Sequence, residues 1–480
     1  MKFRTFKINY FLSIAVFCGS LKAYADQFHY QNFLIGDRAI GLGGAYGAVS
    51  DDASGVYYNP AGIAFALSND ISGSANAMYN KTLTFKKTIG AKDFKEESGG
   101  TVPSFFGGLL KVDNIAEGLV FAWGIYALDN ELKDQDDLFS DVRLGGSSAC
   151  PNAAEGAELP PDNVLKRFHR TVNSRSATEY VGAALGWRMS NALSFGVGAN
   201  YISVDELVQE YQDVKQSSHF CTTDGGFEPG TQTLTQNIRQ SLTAYGIQPV
   251  LGVQASLFGR LSLGFTAKFG SFLSQAYEQT AEIRRIKLVD DDQSTVEEQS
   301  VGGAGATITN PSVVGVYHNP GNVSVQENPL GSMANSYRLG VAYFASTRLL
   351  MTADLVHVTG VNNAEKFGGF SYALYGKEAV TNFMAGLEYY LVPAVPMRLG
   401  FFTNNDARPD INKKKANQRN HVDWFGGSVF FSWVQPNSQI GAGFVLQNGA
   451  GEAQKIGGVT TVQKVEGQSY TFAFSATTTL

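Results

Sequence analysis

A few stretches carry residue types that catalysis or cofactor binding would use. Gly41-Leu42-Gly43-Gly44-Ala45-Tyr46-Gly47 resembles a phosphate-cradling loop. The dinucleotide fingerprint, however, needs a third glycine where Tyr46 stands, and it needs a strand before the loop. No Gly-x-Ser-x-Gly occurs, and the six histidines are scattered singly. A hydrolase triad therefore has no local support, and lone histidines such as His357 read as wall or loop residues. Two cysteines lie beyond the first 25 residues, Cys150 and Cys221. Two thiolates alone leave a zinc set incomplete. The sequence thus points to no enzyme, no metal and no cofactor.

Residues 1–25 carry Lys2, Arg4 and Lys7, then an apolar run from Phe11 to Phe17, and end in Ala23-Tyr24-Ala25. That is the pattern of a cleaved bacterial signal peptide. Phe17 is too bulky before Cys18 for the usual lipidation pattern. Four basic residues leave with the signal, which takes the net charge from −6 to −10. A chain this acidic is a poor partner for nucleic acid. Charged residues are 17%, against about 25% in soluble domains. Glycine numbers 53, and 33 Phe and 21 Tyr outweigh 4 Trp. No later stretch offers 18 apolar residues in a row. An exported chain of this composition fits an outer-membrane β-barrel, where a closed sheet pairs every backbone group.

Period-two alternation supports it. Leu193, Phe195, Val197, Ala199 and Tyr201 interleave with Ser194, Gly196, Gly198 and Asn200. Leu261, Leu263, Phe265, Ala267 and Phe269 interleave with Ser262, Gly264, Thr266, Lys268 and Gly270. One face is large and apolar, the other small or polar, as expected of a wall between lipid and a crowded lumen. Fourteen strands are expected, over 70–86, 100–112, 118–128, 174–188, 192–208, 241–257, 261–280, 335–346, 348–360, 379–392, 396–405, 420–433, 438–449 and 465–477. Short and long connections alternate, which assigns short turns to the periplasm and long loops to the outside. A soluble β-sandwich would leave the apolar face in water.

A barrel of that width is too wide for its own side chains to fill. The glycine- and alanine-rich stretch 36–66, ahead of the first strand, is placed to fold into the lumen as a plug. Its small residues suit close approach to glycine-lined walls, and Arg38, Asp51 and Asp52 suit pairing with lumen charges. The division expected is a signal peptide at 1–25, a plug at 26–69 and a barrel at 70–480.

Here the sequence resembles the FadL/TodX group of outer-membrane transporters for long-chain fatty acids and other hydrophobic compounds. The resemblance rests on Arg38-Ala39-Ile40-Gly41-Leu42-Gly43-Gly44-Ala45, on Asp51-Asp52-Ala53-Ser54, and on Tyr58-Asn59-Pro60-Ala61-Gly62. The later stretches 337–344 and 397–411 also look like the group's C-terminal strands. The resemblance implies a fourteen-stranded barrel with an N-terminal hatch. It implies capture of hydrophobic molecules at external loops and sideways release near the hatch turn, here Asn59, Pro60, Ala61 and Gly62. Release would pass a kinked strand, for which Gly124 in the third strand is the candidate. The partners expected are hydrophobic small molecules, long-chain fatty acids foremost, with outer-membrane lipid and lipopolysaccharide; the oligomeric state is open, a monomer being favoured.

Strand parity turns Lys268, Arg338, Asp354, Glu388 and Arg398 inward. Two uses are open: pairing with the hatch acids, which is favoured, or holding a fatty acid carboxylate through Lys268, Arg338 and Arg398. Cys150 and Cys221 both fall in external loops in an oxidising compartment, so a disulfide between loops is the favoured reading. The functional expectation is passive passage of hydrophobic molecules. The alternative is an interaction protein of the same fold, a secretion component or adhesin acting through its long loops. An apolar pocket inside the barrel mouth would favour transport.

Overall fold

The computed structural model describes residues 28–89, 91–143, 164–221, 227–289, 295–299, 307–308, 332–361, 376–415, 418, 420–455 and 461–480. The alternating segments all form strands: β1 (Asp70–Ile89), β2 (Lys92–Lys111), β3 (Leu119–Phe139), β4 (Val164–Arg188), β5 (Leu193–Cys221) and β6 (Phe227–Leu257). β7 comes in two lengths, Leu261–Lys268 and Ser271–Val289. Then follow β8 (Ser336–Phe344), β9 (Leu349–Val358), β10 (Val380–Val392), β11 (Val395–Asn404), β12 (His421–Gln435), β13 (Ser438–Ala453) and β14 (Gln463–Thr479). Each pairs antiparallel with its sequence neighbours, and β1 also pairs with β14, from Asp70↔Thr479 to Phe85↔Val465. The sheet is a closed fourteen-stranded barrel.

Closure follows from the alternation. Phe195, Val197, Tyr201, Phe425, Phe444 and Phe474 are exposed on the outer face, while Ser194, Asn200, Ser428 and Ser475 beside them are buried inward. In water such an outer band would be a large apolar patch; against lipid it is the stable face. The chain is therefore a transmembrane barrel of the outer-membrane type, and among the described residues no helix is long and apolar enough to cross a membrane.

The wall is uneven in height. β8 and β9 have 9 and 10 residues, close to the 9–11 that cross a bilayer. β5 and β6 have 29 and 31, so their upper halves stand outside the membrane. There the inner face stays buried through an ionic hub on Glu96. This carboxylate meets Lys133 at 3.0 Å, Arg170 at 3.5 Å and also Lys455.

Besides single-residue register shifts, the wall has two larger irregularities. The β2–β3 ladder runs only from Lys111↔Val120 to Phe105↔Tyr126. Beyond it β2 pairs with β1 alone and β3 with β4 alone. Side chains bridge that seam: Gln135 Nε2 donates to the Lys95 carbonyl at 2.6 Å, and Glu97 N–H donates to Gln135 Oε1 at 3.3 Å. The second irregularity is the break in β7 at Phe269 and Gly270. Below it β7 pairs with both β6 and β8; above it β7 leaves β8.

Gly124 does not mark an irregularity. It pairs in register with Gly107 and Gly182, and the shift in the β3–β4 ladder lies at Leu128 instead. Its lack of a side chain has another reason. A Cβ at Gly124 would stand 2.9 Å from the Phe105 ring, so the glycine makes room for that ring.

Candidate functional site

The N-terminal segment, residues 28–66, lies against the inner face of the wall and is almost wholly buried. Two short helical turns, α1 (Asp37–Gly41) and α2 (Gly55–Tyr58), and a 3-10 turn at Gly62–Phe65 give it shape. Small residues allow the close approach. A Cβ at wall glycines 196, 264 or 400 would run into the backbone of Pro60, Gly47 or Gly43 respectively. Wall hydroxyls serve the segment's carbonyls. Ser194 donates to Ala61 at 2.8 Å, Ser262 to Ala48 at 2.7 Å, Thr266 to Tyr58 at 3.0 Å and Ser428 to Gly41 at 3.1 Å. These bonds satisfy a backbone that lies in neither helix nor sheet.

The Asn59 turn is held from both sides. Asn59 Nδ2 donates to the Gly47 carbonyl at 2.7 Å, and its Oδ1 accepts from Ala61 N–H at 3.1 Å. Pro60 and Ala61 then press on Gly196 and Gly252 of the wall.

Four inward charges from the wall, Arg338, Asp354, Glu388 and Arg398, bind this segment; Arg38 pairs with a lumen charge as expected, Asp51 and Asp52 do not. Arg398 reaches Asp37 at 2.7 Å and Glu388 at 2.6 Å. Ser432, Gln439 and Ser475 also donate to Asp37. Glu388 in turn receives both Nε and Nη2 of Arg38, at 3.0 and 2.9 Å. Arg338 pairs at 2.6 Å with Asp354 on its own wall, and Asp354 accepts from the N–H groups of Tyr46 and Gly47. Among the described residues, Asp51 and Asp52 do not reach lumen cations. Asp51 pairs with Arg38 of its own segment at 2.9 Å, and Asp52 accepts from the Ser54 N–H at 2.8 Å. The acid that does reach a wall cation is Asp37, the neighbour of Arg38. Cys150 lies outside the described residues, and Cys221 is described only as the last residue of β5, so their pairing falls there too.

Beside the segment lies a cavity of about 140 Å³. Its apolar wall includes Leu128, Ile202, Val204, Phe272 and Val356, and the segment contributes His29, Tyr30, Gln31 and Tyr57. Lys268 and Arg338 open onto it. Arg338 is neutralised by Asp354. Lys268 is 7% exposed, and among the described residues it pairs with no carboxylate. Its ammonium sits 3.4 Å from the centre of the Tyr57 ring. A lysine so buried is costly unless something anionic meets it, and a ring face supplies only part of that.

The sequence located Lys268 by parity alone. Tyr57 escaped notice because a tyrosine beside an Asn-Pro turn carries no signal; only the fold places it under the lysine. Leu128 and Tyr180 were hidden likewise, in stretches chosen as strands for their alternation.

No family model and no curated protein matches the chain. Solved structures do. A Pseudomonas aeruginosa FadL homologue aligns with a TM-score of 0.54 at 12% identity, over 94% of this chain and 99% of that one. The Pseudomonas putida toluene transporter TodX aligns at a TM-score of 0.48 and 12% identity, over 94% and 100% of the two chains. The monoaromatic hydrocarbon channel CymD aligns at 0.49 and 13%, over 94% and 99%. What the chain shares with the first is its fold, almost end to end.

Proposed function

We propose that this barrel carries hydrophobic carboxylates, long-chain fatty acids foremost, passively across the bacterial outer membrane, with residues 26–69 as a plug in its lumen. The observation that carries this reading is Lys268, a buried ammonium without a carboxylate partner, opening onto an apolar cavity. A fatty acid carboxylate would complete the lysine while its chain lies along Ile202, Val204 and Val356. A neutral hydrocarbon would leave the charge unanswered. Release is sideways through the seam above Phe105 and Tyr126, where no backbone ladder joins β2 to β3. An apolar molecule leaving there enters the bilayer without crossing water. The cavity inside the barrel mouth favours transport over an adhesin or secretion role.

A second reading is favoured by volume. A cavity of about 150 Å³ lined by apolar side chains is one that takes benzene, so small neutral aromatics are the rival cargo.

Binding to the purified protein separates the two. A hydrogen bond to a charged group contributes about 1.5–3 kcal/mol, which is roughly a 10- to 100-fold change in Kd. Lys268→Met should weaken oleate binding by that factor and leave oleyl alcohol nearly unchanged. Toluene binding without oleate binding would favour the rival.

A further inference from the structure

Tyr57 stands between the cavity and the seam. Its ring lies 3.4 Å below the Lys268 ammonium. On its other side it meets Tyr126 edge-on, with ring centres 5.6 Å apart. Tyr126 stacks on Tyr180 at 5.0 Å and an interplanar angle of 7°, and it lies 6.5 Å from Phe105. Phe105↔Tyr126 is the last pair of the β2–β3 ladder. Tyr57 is the penultimate residue of α2, and it packs edge-on at 4.8 Å against Tyr58, the residue that leads into the Asn59-Pro60 turn. One side chain therefore touches the buried ammonium, the tyrosine that leads into the plug's turn and the last closed rung of the seam.

We infer that Tyr57 is the positioning residue that links cargo binding at Lys268 to release of the plug's turn and the seam. The inference rests on the carboxylate reading above. The ammonium now has a ring face as its counterpart, a contact without directional hydrogen bonds. A carboxylate offers charge-assisted hydrogen bonds that are stronger and directional. The two compete for Nζ. When the carboxylate draws Nζ away, Tyr57 keeps only the Arg338 guanidinium beside its hydroxyl and its ring neighbours, and its packing on Tyr126 loosens. Occupancy shifts the plug only through this difference in contacts between the two states.

A cysteine reporter tests the link. With Cys150 and Cys221 replaced by serine, Ala64→Cys places a thiol at a site that is 4% exposed in the seated plug. Maleimide labelling in lipid nanodiscs should be slow without oleate and about fivefold faster or more with it, the lower end of ordinary coupling. In Tyr57→Leu labelling should be fast with or without oleate. Tyr57→Phe, which keeps the ring, should restore the dependence. Heat-modifiable migration on gels confirms that each variant holds a folded barrel. If Tyr57→Leu responds to oleate as the parent does, or if oleate binds the parent without changing its labelling, the link is overturned. Displacement of a dansylated fatty acid by oleate is measured alongside. Loss of binding in Lys268→Met with a parent-like Tyr57→Leu sinks the link alone; parent-like binding in Lys268→Met sinks the carboxylate reading and the link together.

Discussion

Arg398 and Asp37 are 361 residues apart in the chain and 2.7 Å apart in the fold. Arg398 sits mid-strand in β11 and Asp37 opens α1, so one ion pair fixes the N-terminal segment to the wall. The same guanidinium holds Glu388, which holds Arg38. Asp37, Arg398, Glu388, Arg38 and Asp51 thus alternate in sign along one chain of ion pairs, and each charge has an opposite neighbour.

Removing one member of such a buried pair costs about 3–5 kcal/mol, because the partner stays charged and dry. Arg398→Ala should therefore unseat the segment while the wall, held by its own ladders, stays closed. The sign is proteolysis within residues 28–66 of a protein whose barrel still migrates as folded. Arg398→Lys should behave nearly as badly, since an ammonium cannot offer the fork that serves Asp37, Glu388 and Ser432 together. Full protection of the segment in Arg398→Ala would show that the pair does not hold it.

Wall glycines should sort by what they face. Gly400→Val would drive a side chain into the backbone of Gly43, whereas a Cβ at Gly427 meets its nearest neighbour at 3.4 Å, an ordinary contact. Overpacking of the first kind costs about 1–3 kcal/mol. In planar bilayers Gly400→Val should raise the open probability clearly above that of the parent, and Gly427→Val should match the parent. Equal conductance for all three would deny the close approach any role in seating.

The seating should also depend on pH. Burial holds the Asp52 carboxyl above its usual range, against the opposing hydrogen bonds from Ser54. A carboxyl raised in the folded state adds stability that is fully present below its unfolded pKa of about 3.9. That stability is lost as pH rises through the folded value. The segment should then sit more firmly at pH 4 than at pH 7.5, seen as fewer channel openings at the lower pH. Asp51, Tyr46 and Arg38 surround the group, so Asp52→Asn is the control, and it should flatten the profile.

How far the sequence reached depended on what the alternation could record. Wherever a strand faces lipid, large apolar and small residues alternate, and all fourteen strands lie where that pattern puts them. Their outer ends were not legible. Past the membrane the outward positions face water, as Tyr211, Asp213 and Lys215 do in β5, and the contrast that marks a wall disappears. β1 and β2 were likewise expected to stop at 86 and to start at 100, yet they run to Ile89 and from Lys92. The break at Phe269 and Gly270 was hidden because the period of two runs straight through it. Gly124 misled in the opposite way, since a glycine records missing side-chain volume and says nothing of whether the backbone bends. Inward charge was legible from parity, but its partners were not, because a pair such as Asp37 with Arg398 exists only once the barrel has closed around the segment.

The most direct measurement is uptake of radiolabelled oleate by cells that lack their own fatty acid transporter. Cells carrying this chain, its Lys268→Met variant or an empty vector are compared at equal outer-membrane levels of barrel. The account predicts that the chain restores uptake and that Lys268→Met loses most of it. Oleate entry no greater than in the empty-vector cells, with the intact barrel in the membrane, would contradict it.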